Sequence, residues 1–527
     1  MEGTRDIDRR AFLRGSLQLG ALATGAILAP VLLEGCATSR ASSRTTTSTA
    51  GPATASRWDA LASSLTGRLV QPADPGYGTD RLLYNSKFTD PRPRAIAYCA
   101  SADDVARCVD FARGHDVAVA ARSGGHSYGG YSTSAGLVID VSSMAQILVD
   151  TRANTTTIGA GARLIDVYNE LGRHERLLPS GSCPTVGIAG ISLGGGVGVF
   201  GRKFGLTSDN LRAASFVTAH AEKITADADD HHDLLWASQG GGGGNFAIAT
   251  SLEFTVHAMP PVSLFTLRFP WAAAPTMLEA WQRWIEAAPD ELWSNCLLLS
   301  QGTSGLLAEI SGVYCGSERA LGALLKPLTS SIGAPIYRFQ ASDEYLSAMM
   351  AEAGCSGLAV AACHLAAPGT HGTLSRSAFS AKSSYVTTPM SSARASQLVD
   401  AVATLAARAP TLGGSLAFDA YGGVINRIPS DQTAFVHRDK VAGIQATYSW
   451  TSDTPPSIIN AGRDWLSWLQ SRVLDPAAGA YQNYIDPTLS DWRDAYYGAN
   501  LDRLVRVKRV YDQDNFFSFA QSIPTSL

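Results

Sequence analysis

Three glycine-rich segments, spanning residues 122–130, 181–205 and 240–244, constrain this 527-residue chain more than any other feature. Glycine lets backbone turn sharply, or approach other backbone or a ligand, without a Cβ in the way. Such segments therefore mark where the chain meets itself or a bound molecule. The first reads Arg122-Ser-Gly-Gly-His126-Ser-Tyr-Gly-Gly130 and lies between two apolar stretches, Val117–Ala121 and Leu137–Val141. Ahead of it, Ile96–Tyr98 predicts a strand, and Ser101 with Asp104 predicts a helix start closed by a capping box. Val105, Cys108, Val109 and Ala112 follow at helical spacing. A βαβ run thus leads into a loop whose amides are free to converge, the arrangement that cradles a pyrophosphate. Arg122 adds a positive charge, and His126 sits in the middle.

The second segment contains Gly181-Ser-Cys183-Pro-Thr-Val186-Gly187-Ile-Ala-Gly190 and continues through Gly194 to Gly205. It matches neither a Rossmann fingerprint nor a Walker A loop, because no acidic residue follows at the required distance and no Gly-Lys-Ser/Thr closes it. A buried cysteine is ordinarily an inert small hydrophobe, but Cys183 on an open glycine-rich loop is placed to meet a ligand. The third segment, five consecutive glycines, is flanked by Trp236 and by strand-like Ala249–Val256, so backbone is expected to pass close to that ligand.

Taken together, the RSGGHSYGG segment and the Cys-Pro-Thr-Val-Gly-x-x-Gly segment resemble the berberine bridge enzyme group of the vanillyl-alcohol oxidase superfamily. With the Trp236 to Phe246 segment, the resemblance covers about residues 75 to 256. It implies a bicovalent FAD, with His126 on the flavin 8α-methyl and Cys183 on ring carbon 6. It places Arg122, Ser123, Gly124, Gly125, Ser127, Val186, Gly187, Gly190 and Gly194 around the cofactor. Val186, three residues after Cys183, implies oxygen reactivity and favours an oxidase. Near the C-terminus, Tyr481-Gln-Asn483-Tyr484, Asn515-Phe-Phe and Gln521-Ser-Ile-Pro resemble the short terminal module of the same group. There Tyr481 and Asn483 would line the flavin edge, Asn515 would anchor the module, and Tyr484 would be the catalytic base, ahead of nearby Asp486. Lowering a phenol by three pKa units costs about 4 kcal/mol, so a nearby cation or a concerted proton loss is expected to assist.

The N-terminus reads as an address. Asp8-Arg9-Arg10-Ala11-Phe12 precedes a charge-free apolar run from Leu17 to Leu33, which resembles a twin-arginine export signal. A transmembrane anchor is the alternative, though Gly20, Gly25 and Pro30 break the run. Leu33-Glu34-Gly35-Cys36 resembles a lipobox whose Cys36 would be lipidated; a plain secreted enzyme is the other reading. The Ser/Thr-rich stretch to Ser56 has no hydrophobic periodicity and reads as a tether.

From about Pro260 the glycine density falls. Leu264–Phe269, Gly305–Val313 and Phe435–His437 predict strands, and Met277–Ala287 predicts an amphipathic helix. Cys355 and Cys363 are either a small disulfide loop or two free thiols; Cys99 and Cys108 bracket a helix start and are not expected to pair. His231-His232 beside Asp229 and Asp230 reads as a solvated turn, and no metal site is expected, since neighbouring residues of a regular element point apart.

The expected fold is α+β: a two-subdomain FAD-binding domain of the vanillyl-alcohol oxidase type, plus an antiparallel-sheet substrate domain with helices on one face. The expected layout is export signal 1–36, linker 37–56, FAD-binding domain 57–256, substrate domain 257–475 and C-terminal module 476–527. A net charge of −4 excludes an electrostatic footprint for nucleic acid. The expected protein is an exported, monomeric FAD oxidase that acts on an alcohol or sugar hemiacetal and passes electrons to O2. A sugar, an oligosaccharide or a secondary metabolite would be the substrate. The alternatives are an FAD dehydrogenase, a ring-forming tailoring enzyme, or a flavin-carrying surface protein without a base.

Overall fold

A computed structural model describes residues 57–367 and 369–527. The export-type signal, the tether and Cys36 lie outside the described residues.

The first sheet has the order β1-β2-β4-β3, built from Arg68–Val70 (β1), Ala95–Tyr98 (β2), Val119–Arg122 (β3) and Leu137–Asp140 (β4). β2 and β3 run parallel to β4, and β1 is an antiparallel edge. The helix Ala102–Gly114 crosses from β2 to β3, as its apolar spacing demands. Ser101 caps it by accepting the Asp104 amide at 3.3 Å. The expected reciprocal bond is absent: the Asp104 carboxylate takes the amides of Thr66, Gly67 and Ala100 instead. It thereby ties the chain entering β1 to the helix start. Parallel strands need a long crossover, yet β3 and β4 are joined by residues 123–136 with no helix at all. That crossover is the histidine loop.

The second sheet is antiparallel, in the order β5-β6-β10-β8-β9: Ile147–Asp150 (β5), Thr155–Gly159 (β6), Leu211–Thr218 (β8), Lys223–Ala226 (β9) and Ala247–Thr255 (β10). Arg176–Leu177 (β7) and His257–Ala258 (β11) form a small ribbon beside it. The cysteine segment leaves this sheet after β6 and returns at β8.

The third sheet is a seven-stranded antiparallel one, β15-β12-β14-β13-β17-β18-β16. Its strands are Val262–Phe269 (β12), Leu292–Gln301 (β13), Leu306–Tyr314 (β14), Tyr337–Asp343 (β15), Ala378–Val386 (β16), Gly413–Ala420 (β17) and Ala442–Trp450 (β18). Helices Ala274–Ala287, Ser392–Arg408 and Pro456–Arg472 pack on one face. The two-residue period decides what each face carries. On β17, Leu416, Phe418 and Ala420 are fully buried, whereas Ser415, Ala417 and Asp419 alternate with them and face the glycine loops across a cavity.

Phe435–His437 is a loop, not the expected strand. Its Phe435 amide donates to the Gln239 carbonyl at 3.1 Å, and its Ala434 amide to that of Trp236. Those amides are therefore spent on the end of the helix His232–Ser238 instead of on a neighbouring strand. Arg438 closes this loop onto the second glycine segment through two bonds to buried Asp209, at 2.9 and 2.6 Å.

The C-terminal helix Leu501–Tyr511 packs beside the five-glycine run. Lys508, fully buried, donates to Asp512 at 2.6 Å and to the carbonyls of Asn245 and Phe517. This buried ion pair anchors the terminus. Asn515, the expected anchor, is exposed with φ 53°. An asparagine tolerates that left-handed turn, which accounts for the residue type. All seven described cysteines outside Cys36 are unbridged. Cys355 and Cys363 are buried free thiols, and the Cys99 and Cys108 sulfurs lie 3.9 Å apart.

Candidate active site

The histidine and cysteine loops meet because both have glycine at the point of contact. A Cβ on Gly124 would lie 2.2 Å from the Gly187 amide nitrogen, and a Cβ on Gly187 would lie 2.3 Å from that of Gly124. Amides of Leu164, Ile165 and Ile188 donate to Val186, Pro184 and Ala162 carbonyls at 2.9–3.1 Å, stitching the cysteine loop to the helix Leu164–Arg173.

Thr185 then touches both His126 and Cys183. Its hydroxyl is 2.9 Å from His126 Nε2 and 3.9 Å from Cys183 Sγ. Tyr84 stacks on the imidazole with ring centroids 3.9 Å apart. With Nε2 engaged by Thr185, Nδ1 is the ring nitrogen that carries no hydrogen bond among the described residues. Burial, assisted by the charge of Arg163, pulls the His126 pKa down to about 3, so the ring is neutral and nucleophilic at physiological pH. Burial pushes the Cys183 thiol up.

His126 and Cys183 both line a cavity of about 710 Å³ between the glycine loops and the seven-stranded sheet. Arg122, Ser123, Gly124, Gly125 and Ser127 line it from the first loop, and Val186, Gly187 and Gly190 from the second. Tyr481, Asn483 and Tyr484 enter from the C-terminal turn Gln482–Tyr484. Gly194 does not line the cavity. A Cβ there would lie 2.0 Å from Asn483 Oδ1, so this glycine admits the C-terminal turn. Tyr481 and Asn483 also hold that turn: the Tyr481 hydroxyl accepts the amides of Gly196 and Val197, and Asn483 Nδ2 donates to Ile191 carbonyl and Tyr481 hydroxyl at 2.9 Å.

Tyr484 stands against the sheet. Its ring stacks on Tyr128 at 5.1 Å and meets Tyr481 edge-on at 4.9 Å. No cation lowers its phenol. Burial and then the negative charge of Asp419 hold it well above the usual tyrosine value. The charge that acts on this phenol is thus a carboxylate's, not the expected cation's. Asp419, on β17, lines the same cavity, and burial raises it to about 6. Glu352, at the end of the helix Tyr345–Glu352, also lines it and is raised to about 8 by burial, Asp419 and Glu309, in that order. Gln445 on β18 donates to the Tyr128 hydroxyl at 2.8 Å. Asp486 is removed from candidacy as base: Lys382 holds it at 2.6 Å, and the Thr488 amide and hydroxyl donate to its other oxygen. Among the described residues no group of histidines, cysteines and carboxylates is arranged to hold a metal.

Sequence reasoning missed Asp419, Glu352, Gln445 and the stacking partners Tyr84 and Tyr128. Asp419 had a usable signal, a lone carboxylate in the apolar strand Leu416-Ala-Phe-Asp-Ala420.

The site fits a flavin dinucleotide on grounds internal to the chain. Arg122, whose Nε is bound to Asp140, keeps a buried Nη1 without a protein partner, and buried Gln482 keeps an unpartnered Oε1. A Cβ on Gly190 would meet no protein atom within 4 Å and would point into the open cavity that Gly190 lines.

The comparisons agree. A family model described as FAD binding domain matches residues 93–227, and one described as berberine and berberine like matches residues 480–524. The uncharacterized FAD-linked oxidoreductase YgaK of Bacillus subtilis (strain 168) is 32% identical over 465 residues, covering 87% of this chain and 97% of the relative. Among solved structures, wild-type Physcomitrella patens BBE-like 1 superposes with TM-score 0.80 at 29% identity, covering 90% of this chain and all of that one. A structure titled for the roles of the 6-S-cysteinyl, 8α-N1-histidyl FAD in glucooligosaccharide oxidase from Acremonium strictum gives 0.78 at 26% identity, with coverage of 90% and 100%. The fold and site are those of an FAD-linked oxidoreductase. Within that class, the chain belongs to the berberine-bridge-enzyme-like family.

Proposed function

We propose that the protein is a bicovalent FAD oxidase that converts the hemiacetal or alcohol carbon of an oligosaccharide to the lactone or carbonyl, with Tyr484 and Asp419 handling the proton. The observation that carries this reading is one cavity lined by His126 and Cys183 on its loop side and by Tyr484 and Asp419 on its sheet side, with the Asp419 charge acting on the phenol. The bound flavin supplies the chemistry of accepting a hydride and passing the electrons to O2 as hydrogen peroxide. Tyr484 is a neutral phenol in the resting site, so it serves as a relay. Its oxygen takes the proton of the substrate hydroxyl while its own proton moves to the Asp419 carboxylate. Tyr128, fixed by Gln445, keeps the Tyr484 ring in place. Neutral His126 and a cysteine already beside it agree with two covalent bonds to one ring system. The oligosaccharide class is supported by the glucooligosaccharide oxidase similarity and by Asn295, Ser415, Thr447 and Gln445, a hydroxyl- and amide-rich sheet face.

The test is denaturing precipitation of purified protein, followed by absorption, intact mass and peroxide production on cello- and chito-oligosaccharides. A yellow pellet one FAD heavier, with peroxide released, is expected. A colourless pellet refutes covalent attachment, and turnover only with an artificial electron acceptor refutes the oxidase. Export through the Arg9-Arg10 segment is also proposed, on the sequence alone. It is checked by fractionation and by the N-terminus of the mature chain.

A further inference from the structure

We infer that the oligosaccharide this protein selects carries free amino groups, and that Glu352 receives the ammonium. The inference rests on the oligosaccharide reading above and specifies its substrate class. The substrate side of the cavity is acidic without a counter-charge. Among the described residues, the basic side chains on the cavity wall are Arg122 and His126, both on the flavin side. Arg122 is bound to Asp140, and His126 is neutral. Opposite them stand two carboxyl groups, Asp419 on β17 and Glu352 at the end of its helix.

Glu352 and Asp419 differ from the paired acids of this chain. Glu309, one strand beyond β13 on the same sheet, is answered by Arg268 at 2.7 Å. Asp486 has Lys382, Asp209 has Arg438 and Asp512 has Lys508. The Glu352 carboxyl has no donor or cation against it among the described residues. It also terminates a helix, where the aligned carbonyl dipoles disfavour an anion and favour a cation. A neutral sugar would leave two unpaired carboxyl groups in one desolvated cavity. A sugar ammonium between them supplies the missing charge and lets Glu352 ionise, consistent with its pKa being held at about 8 by burial, Asp419 and Glu309.

The test is calorimetric titration of the flavin-loaded protein with two methyl glycosides that cannot be oxidised because the anomeric carbon is blocked. One is a glucosamine dimer and the other is cellobiose, each at about pH 6.5, where the amine is charged and Glu352 is not, in two buffers of different ionisation enthalpy. The amino glycoside is expected to bind about tenfold more tightly and to release protons, because the carboxyl it meets ionises. Glu352→Gln is expected to bring the two affinities together and to abolish the proton release. Equal affinities in the wild-type protein, or tighter binding of cellobiose, overturn the amino-sugar inference and leave the oligosaccharide reading standing. Failure of both glycosides to bind overturns the two together.

Discussion

Gly187 and Gly190 stand three residues apart, one capping the helix Ile188–Leu193 and one within it, yet alanine at each should fail in a different way. At Gly187 the new methyl would lie 2.0 Å from Ser123 Oγ and 2.3 Å from the Gly124 amide nitrogen. The hydroxyl can rotate away, but the backbone cannot. Restoring an ordinary 3.4 Å contact moves the two loops apart by about 1.1 Å. Overpacking of this kind costs about 1–3 kcal/mol. It also lengthens the reach between His126 and Cys183, and a misplacement of about 1 Å can cost on the order of a hundredfold in a reacting geometry. Gly187→Ala should therefore melt a few degrees lower and accumulate flavin held by one bond, read by intact mass and by the pellet spectrum of each anchor variant. At Gly190 the methyl meets no protein atom within 4 Å. In the helix Ile188–Leu193 it should stabilise the flavin-free chain by up to about 1 kcal/mol, while filling space the cofactor needs. Gly190→Ala should thus fold normally and bind little FAD. Full double attachment and wild-type melting in Gly187→Ala would refute the idea that close backbone approach sets the anchor geometry. Full flavin loading in Gly190→Ala would place the cofactor elsewhere.

Tyr484→Phe should keep its covalent flavin and lose about 10²–10⁴-fold in kcat; near-normal turnover removes the relay. Activity should rise with pH as Asp419 ionises near about 6, because below that pH its carboxyl is protonated and has nothing to accept with. Asp419→Asn should lose this limb of the kcat/KM profile, and an unchanged profile assigns the limb to another group. Removing one partner of a buried ion pair costs about 3–5 kcal/mol, so Asp209→Ala should release the Phe435 loop that Arg438 holds. Limited proteolysis near residue 435 would show it, and unaltered protection counts against that pair as the clamp.

The histidine and cysteine that line the cavity, the glycine loops and the C-terminal Tyr-x-Asn-Tyr turn were legible in the sequence because each is a local device. A histidine held between glycine pairs, or a cysteine before Pro-Thr-Val-Gly, carries its backbone requirement and its chemistry within ten residues. The βαβ entry was legible for the same reason, since apolar spacing and the Ser101 cap are short-range. Only the tertiary structure decided what surrounds Tyr484. Asp419 and Gln445 reach the cavity through strand register, and a slip of one residue would send each to the helix-covered face. Asp486 was ruled out by Lys382, 104 residues away, and the phenol's pKa was moved up, not down, by burial and a carboxylate. Side-chain identity is written in the chain. Desolvation and the sign of the neighbouring charge depend on which distant elements pack together, and they set the chemistry each side chain performs.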